Sequence, residues 1–387
     1  MIPVMRPWLG KEEAEAAAAT VASGWIAQGP RVAEFEAAFA ASIGASHAVA
    51  VSSCTAALHL ALIAAGIGPG DEVIVPSLSF IATANAVRYV DAQPVFADVD
   101  LATQNLIPAT VEPHLTSQTR AVILVDQAGV PADLEAMRAL CDPRGITVIE
   151  DAACAAGSTY LTRPAGATAA VAAYSFHPRK LLTTGEGGML ITSNGSIATR
   201  IRRLREHGMD VGAADRHLSQ QPVIEHYTEV GFNYRMTDVQ AAVGLVQLTK
   251  LDELVARRRE LAQRYRQLLS DIPGIRMIED PPYGTTNYQS FWILPPDHSP
   301  VSRDEILLSL ARAGVSARRG IMAAHLEPPY HDHPREMLPV TERLTNHSLI
   351  LPLFHDMTDA QQEVVVAAVR ACLCGSESTS RFCATLS

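Results

Sequence analysis

Five short polar segments of this 387-residue chain directly follow apolar runs and hold the residues best suited to chemistry. His177-Pro178-Arg179-Lys180 follows the run Val171–Phe176 and precedes Gly185-Glu186-Gly187-Gly188. A lysine on a turn at the end of a buried strand suits covalent chemistry. Desolvation lowers its pKa, and the neutral amine can form a Schiff base with an aldehyde. Taken alone, such a lysine is more often a surface residue of a hairpin, because lysine is rarely buried. Ser52-Ser53-Cys54-Thr55-Ala56-Ala57 follows Ala48–Val51 and opens a helix. Free N–H groups and the helix dipole make that N-terminus a phosphate site, although a Ser/Thr N-cap is the commoner use of the pattern. Pro76-Ser77-Leu78-Ser79-Phe80 follows Val73–Val75 and brings an aromatic ring that can stack. Asp126-Gln127 follows Ala121–Val125, and Glu150-Asp151-Ala152-Ala153-Cys154 follows Ile146–Ile149. An acid at such a strand end can pair with a buried cation.

The elements that must position these residues are legible too. The apolar runs, with Val95–Ala97 among them, are short, continuous and rich in Val and Ile, as strands buried on both faces should be. Helix-like segments at Thr55–Ala65, Ala82–Tyr89 and Leu134–Leu140 separate several of them. The alternation predicts an α/β fold with a mainly parallel sheet, in which ligands bind beyond the carboxyl ends of the strands. All five polar segments lie at such ends. A phosphate cradle, an aromatic plate, a carboxylate and a lysine are what pyridoxal 5′-phosphate asks for. Its phosphate needs donors, its ring a stacking face, its pyridine nitrogen a carboxylate and its aldehyde an amine.

Composition bounds the rest. Hydrophobic residues make up 48%, charged residues 19%, and the formal net charge is −10. This is an ordinary globular composition, and its acidity argues against a general nucleic-acid binder. No run of about 18 apolar residues marks a membrane span, and Met1-Ile2-Pro3-Val4 does not resemble a signal peptide. The six cysteines are scattered, forming neither a zinc pattern nor a disulfide framework, so no metal is expected and a cytoplasmic setting is. Helices are expected at Lys11–Ser23 and Arg31–Ile43, around the loop that carries Trp25, which reads as half-buried packing or as a site aromatic. A long amphipathic helix, Leu251–Leu269, has Arg257-Arg258-Arg259 largely on its polar face, where the triplet reads as solvated. The length predicts two domains, a large cofactor-binding domain over 1–250 and a small α/β domain over 251–374, followed by a polar tail, 375–387. In the small domain, strands are expected at Tyr288–Leu294 and Val315–Arg318. The loop Arg318 to Tyr330, with two arginines and His325, reads as an anion clamp or as an exposed Pro-rich loop.

Ser53-Cys54-Thr55-Ala56-Ala57-Leu58, Gly70-Asp71-Glu72-Val73-Ile74-Val75-Pro76, Pro94-Val95-Phe96-Ala97-Asp98-Val99-Asp100, Glu150-Asp151-Ala152-Ala153, Ser175-Phe176-His177, Gly185-Glu186-Gly187-Gly188 and Asn233-Tyr234-Arg235-Met236 resemble, in order, the blocks of the DegT-type sugar aminotransferases. The resemblance runs from about residue 3 to 373 and implies the aspartate-aminotransferase fold (fold type I) with pyridoxal phosphate. It implies that Lys180 bonds the cofactor and moves a proton, that Asp151 holds the pyridinium proton, and that Phe80 stacks on the ring. Cys54, Thr55 and Ser175 would bind the phosphate, with Asn233 reaching the phosphate of the neighbouring subunit in a homodimer with shared sites. Trp25, Gln127, Glu186 and His325 would lie near the sugar. Two positions depart from the family. Cys154 stands where His or Gln commonly bonds the cofactor's phenolic oxygen, a contact that Gln127 or water could supply; it reads as packing rather than as a nucleophile. Cys54 stands in place of a glycine.

The resemblance implies amino transfer from glutamate or glutamine to a keto sugar, most often nucleotide-linked. A keto-cyclitol substrate fits every motif equally. A sugar dehydratase or a non-catalytic relative fits less well, because dehydratase relatives carry histidine in place of the lysine.

Overall fold

The computed structural model describes residues 1–212, 221–331 and 337–374; the polar tail expected at 375–387 lies outside the described residues. The strands are, in chain order, β1 (His47–Val51), β2 (Glu72–Pro76), β3 (Gln93–Ala97), β4 (Thr119–Val125), β5 (Thr147–Asp151), β6 (Thr159–Tyr160) and β7 (Arg163–Pro164). They continue as β8 (Val171–Ser175), β9 (Gly188–Thr192), β10 (Arg276–Met277), β11 (Gly284–Thr285), β12 (Phe291–Leu294), β13 (Arg318–Arg319) and β14 (Leu349–Leu351).

A seven-stranded sheet in the order β1-β9-β8-β5-β4-β2-β3 forms the centre. Neighbours from β8 across to β3 are parallel, and β9 runs against both β1 and β8. A parallel return would need a crossover helix; β9 is reached from β8 through a loop and so comes back antiparallel. The carboxyl ends of the other six strands therefore share one edge. That edge carries all five polar segments.

The strands are buried on both faces, as their continuous apolar runs require. Ala48, Ala50, Val122 and Leu124 enter one hydrophobic cluster, whereas their neighbours Val49, Val51, Ile123 and Val125 enter the other. Helix Pro30–Ile43 is fixed to β8 by an edge-on cluster of Phe35, Phe39, Tyr174 and Phe176, with ring centroids 5.0–6.1 Å apart. Each such pair contributes about 0.5–1.5 kcal/mol beyond area burial. The cluster braces the strand that leads into Lys180.

Helix Leu251–Leu269 joins this body to the third hydrophobic cluster. Its first residue, Leu251, packs on the large sheet, and Leu261, Tyr265 and Leu269 pack on the antiparallel sheet β10-β12-β14-β13. The N-terminal residues also reach this second sheet region: Ile2 bridges Val315, and the Leu353 N–H donates to the Val4 carbonyl (3.1 Å).

The expectation of a solvated arginine triplet is corrected at Arg258, which is buried. Its guanidinium donates to the carbonyls of Tyr288 (2.8 Å), Gln289 (2.8 Å) and Leu353 (2.9 Å). A planar donor fork can satisfy several converging carbonyls at once, which a single ammonium would do less well. The strand expected from Tyr288 begins only at Phe291. Tyr288 has φ 50°, in the left-handed region, and the side chain of Gln289 ahead of the strand bonds the main chain of Arg179 and Leu181. The strand expected at Val315–Arg318 is Arg318–Arg319; Val315 pairs only with Ile2.

Candidate active site

After β8 the chain turns at His177-Pro178, and the Lys180 N–H donates to the His177 carbonyl (2.8 Å). Lys180 Nζ donates to Cys154 Sγ at 3.0 Å. Asp151 ends β5 and is paired with Ala173 of β8, so carboxylate and lysine leave adjacent strands at the same edge. Asp151 Oδ2 accepts from Thr83 Oγ1 (3.0 Å) and Oδ1 from the Ala153 N–H (3.2 Å). Ser79 and Thr83 share a further hydrogen bond of 2.8 Å.

Burial pushes the Asp151 carboxyl above its ordinary range, and the bonds from Thr83 and Ala153 and the charge of Lys180 pull it only part of the way back. For Lys180, burial pushes the ammonium down, but Cys154, Cys54 and Asp151 outweigh it and hold the pKa above its ordinary value. The lowered value expected from the sequence is thus reversed in the chain alone, because the lysine is desolvated among acidic groups rather than among apolar ones. The Cys54 thiol is pushed well up, first by desolvation and then by Asp151.

At the end of β1, Ser53 is the N-cap of helix Cys54–Ala64, its Oγ accepting from the Ala56 N–H (3.1 Å). Capping and anion binding coexist here. The N–H groups of Cys54 and Thr55 belong to the first turn, where no intrahelical acceptor exists. Gly188 of β9 lies against this turn, and a Cβ there would stand 2.6 Å from the Cys54 nitrogen. Only glycine lets the strand come so close. Ser175, the last residue of β8, is half-buried, with Oγ 3.4 Å from the His177 N–H.

The other residues named from sequence are placed as follows. Phe80 is 61% exposed, three residues before the Thr83 that touches Asp151. Gln127 is buried; its side-chain amide donates to the Leu78 carbonyl, and its N–H donates to Asn105 Oδ1 (2.9 Å). Glu186 is exposed, 3.9 Å from His177 Nε2. Trp25 folds over Gly29 in its own loop, its indole N–H toward the Gln28 carbonyl (3.4 Å). His325 is buried between Ser77, whose Oγ is 2.5 Å from Nδ1, and Glu342, 3.5 Å from Nε2. In the Arg318–Tyr330 loop, Arg318 and Arg319 are exposed on β13, whereas His325 is buried. Asn233 is exposed and bonds Arg235, but the next residue, Tyr234, accepts the Ser52 N–H (2.8 Å) beside the helix turn.

Sequence reasoning missed the clamp on the lysine turn. Gln289 Nε2 donates to the Arg179 carbonyl (2.6 Å), and its Oε1 accepts the Leu181 N–H (3.1 Å). One buried amide thus holds both neighbours of Lys180. Asn287 supports it, with Oδ1 accepting the Gln289 N–H (2.7 Å) and Nδ2 donating to the Cys154 carbonyl (2.8 Å). Arg258 holds the carbonyls behind them. The only trace in the sequence is two amides flanking Tyr288 ahead of an apolar run, which reads as a polar strand start. Gln289→Ala should lower kcat about 10²-fold, the usual effect of about 1 Å misplacement of a catalytic group, with little change in donor KM. An unaltered kcat, measured by single-turnover kinetics, would show that the turn holds itself.

The set fits a flat, anionic aldehyde: an amine, a desolvated carboxyl whose burial a cation would relieve, and a helix turn with open donors against a glycine. Comparison with known proteins agrees. The family model of the DegT/DnrJ/EryC1/StrS aminotransferases matches residues 7–370. The aminotransferase TlmJ from Streptoalloteichus hindustanus is 38% identical, with 97% of this chain and 99% of that chain covered and a TM-score of 0.89. Helicobacter pylori PseC, an aminotransferase involved in the biosynthesis of pseudoaminic acid, is 26% identical, with 96% and 99% covered and a TM-score of 0.89. Spr1654 from Streptococcus pneumoniae, solved in PLP and PMP forms, is 25% identical; its PMP form covers 98% of this chain and 100% of that chain with a TM-score of 0.90. The fold is that of the fold type I aminotransferases, and the cofactor is pyridoxal phosphate. With the match spanning almost the whole chain, this protein belongs to the DegT/DnrJ/EryC1/StrS aminotransferase family and is a PLP-dependent aminotransferase.

Proposed function

We propose that the enzyme moves an amino group from glutamate or glutamine to a keto sugar, in its usual form a nucleotide-linked keto-deoxysugar. The observation that carries this is a buried carboxyl and a lysine leaving adjacent strand ends, and the role of PseC in pseudoaminic acid biosynthesis points to a carbohydrate acceptor. When bound, pyridoxal phosphate supplies an aldehyde that bonds amines and a ring that withdraws electrons from the substrate carbon.

The chain's own residues do the rest. Lys180 offers Nζ to the aldehyde and later moves a proton at that atom. Asp151, oriented by Thr83 and the Ala153 N–H, holds the proton on the ring nitrogen. The Cys54 and Thr55 N–H groups and the Ser175 hydroxyl bind the phosphate, helped by the helix dipole. Phe80 covers the ring, and Cys154 holds Lys180 by its hydrogen bond. Trp25, Gln127, Glu186 and His325 face the sugar, with the His325 ring oriented by Ser77.

The test is to incubate the enzyme with each amino donor and a panel of keto sugars and keto-cyclitols, and to follow products by mass. Amination confined to cyclitols would overturn the sugar reading.

In the same reading two subunits share their sites, Asn233 serving its partner's phosphate. Lys180→Ala and Asn233→Asp subunits should each be nearly inactive. Mixed and allowed to exchange, about half the dimers are hybrid, each with one sound site, so activity should return to about a quarter of wild type. No recovery, with exchange shown by tagged subunits, would place Asn233 in its own subunit's site.

A further inference from the structure

We propose that Cys154 and Lys180 form a reversible oxidative cross-link, a sulfur–nitrogen bond that locks the cofactor-free enzyme. Sγ and Nζ stand 3.0 Å apart. Their placement does not depend on side-chain rotamers alone, because one segment grips both main chains. Asn287 holds the Cys154 carbonyl, Gln289 holds the peptide groups on either side of Lys180, and the two amides are bonded to each other. Cys154 and Lys180 are both half-buried, so a small oxidant reaches them, whereas a bulky thiol reductant reaches them more slowly. The recess holds a second thiol, Cys54. Desolvation, and then the Asp151 charge, push the Cys54 thiol well up, and it is Cys154 whose sulfur touches Nζ.

The chemistry balances with a hydroperoxide as oxidant. The Cys154 thiolate attacks one peroxide oxygen; a sulfur–oxygen bond forms, the oxygen–oxygen bond breaks and hydroxide leaves. Sulfur is oxidised by two electrons and the peroxide is reduced. The hydroxide takes a proton from the Lys180 ammonium, and the freed nitrogen attacks sulfur. A sulfur–nitrogen bond forms as the sulfur–oxygen bond breaks, and the departing hydroxide takes a second proton from nitrogen. Thiolate, ammonium and hydrogen peroxide thus give the cross-link and two waters. Two thiol molecules reverse it, returning the amine and the Cys154 thiol and leaving as their own disulfide. The cross-link consumes the amine that bonds the cofactor, so it rests on the reading of Lys180 as the cofactor's lysine; a loaded cofactor, holding that amine, protects the pair.

The experiment treats full-length enzyme, loaded or stripped of cofactor, with hydrogen peroxide and maps the peptides by mass. In the stripped enzyme the Cys154 and Lys180 peptides should appear joined, two hydrogens lighter than their sum. Covalent reloading with cofactor should be lost, and dithiothreitol should restore it. The joined peptide should be absent from Cys154→Ser, persist in Cys54→Ser and form more slowly in the loaded enzyme. A Cys54–Cys154 disulfide, a sulfinic acid at Cys154 beside a free Lys180 amine, or an unmodified pair would each overturn the proposal. The cofactor reading fails separately, if borohydride reduction of the loaded enzyme fixes the cofactor elsewhere.

Discussion

Lys180→Ala should lower the rate of amino transfer by about 10⁴-fold or more, equivalent to about 5 kcal/mol of transition-state stabilisation. In the proposed mechanism two functions are lost together, the amine that bonds the cofactor's aldehyde and the base that moves the proton, and Lys180 is the amine that meets Cys154 three residues beyond Asp151. The loss should fall on kcat, read in single turnovers with glutamate, because the phosphate cradle at Cys54 and Thr55 is untouched. Fold and cofactor affinity supply controls. The Lys180 side chain is replaced, but the turn remains clamped by Gln289 through main-chain groups alone. Borohydride reduction of the wild type, followed by peptide mapping, should place the cofactor on Lys180. Finding it on Lys11 or Lys250 would refute the assignment. Lys250 is a weak competitor, since it is already paired with Glu12 (2.5 Å) and Glu13 (2.7 Å).

Asp151→Asn should cost the loaded enzyme about 10²-fold or more in rate, about 2.7 kcal/mol. The amide keeps the shape and can still meet Thr83, but it cannot hold a proton on the ring nitrogen, and an unprotonated ring withdraws electrons poorly. The same substitution should act in the opposite direction on the cofactor-free fold. Burial raises the Asp151 pKa above its ordinary 3.8, so the folded chain holds a proton that the unfolded chain releases. Stability from this group is therefore fully present below about pH 3.8 and falls as pH rises through the folded value. Removing the carboxylate should raise the melting temperature of the stripped protein at neutral pH while lowering the turnover of the loaded one. A variant that loses both stability and activity would mean that Asp151 is a structural carboxylate, its charge already paired within the protein.

Much of this molecule was legible in its chain. The strand runs of the large sheet appear with ends shifted by a residue or two, because continuous Val/Ile-rich segments buried on both faces leave little alternative, and caps such as Ser53 and Thr237 mark their helices. The order of polar segments at strand ends named the cofactor, since a parallel sheet gathers its carboxyl ends at one edge whatever the lengths of its connections. What surrounds those segments was not legible. Arg258 was read as solvated by its helical position, yet three carbonyls from distant loops converge on it. Gln289 lies 109 positions beyond Lys180 in the numbering, and nothing local to it marks it as the amide that holds the lysine's turn. The charge balance at Lys180 went the same way: sequence predicts desolvation from the strand end, but the sign of the shift depends on which groups share the recess. The sequence by itself determined the fold class, through local periodicity, and the family and its cofactor, through the order of motif blocks that resemble it along the chain. Only the tertiary structure decided how Lys180 is held and which thiol stands beside it, because hydrogen bonds and electrostatic shifts depend on separations in space, and those are set by packing between segments remote in sequence.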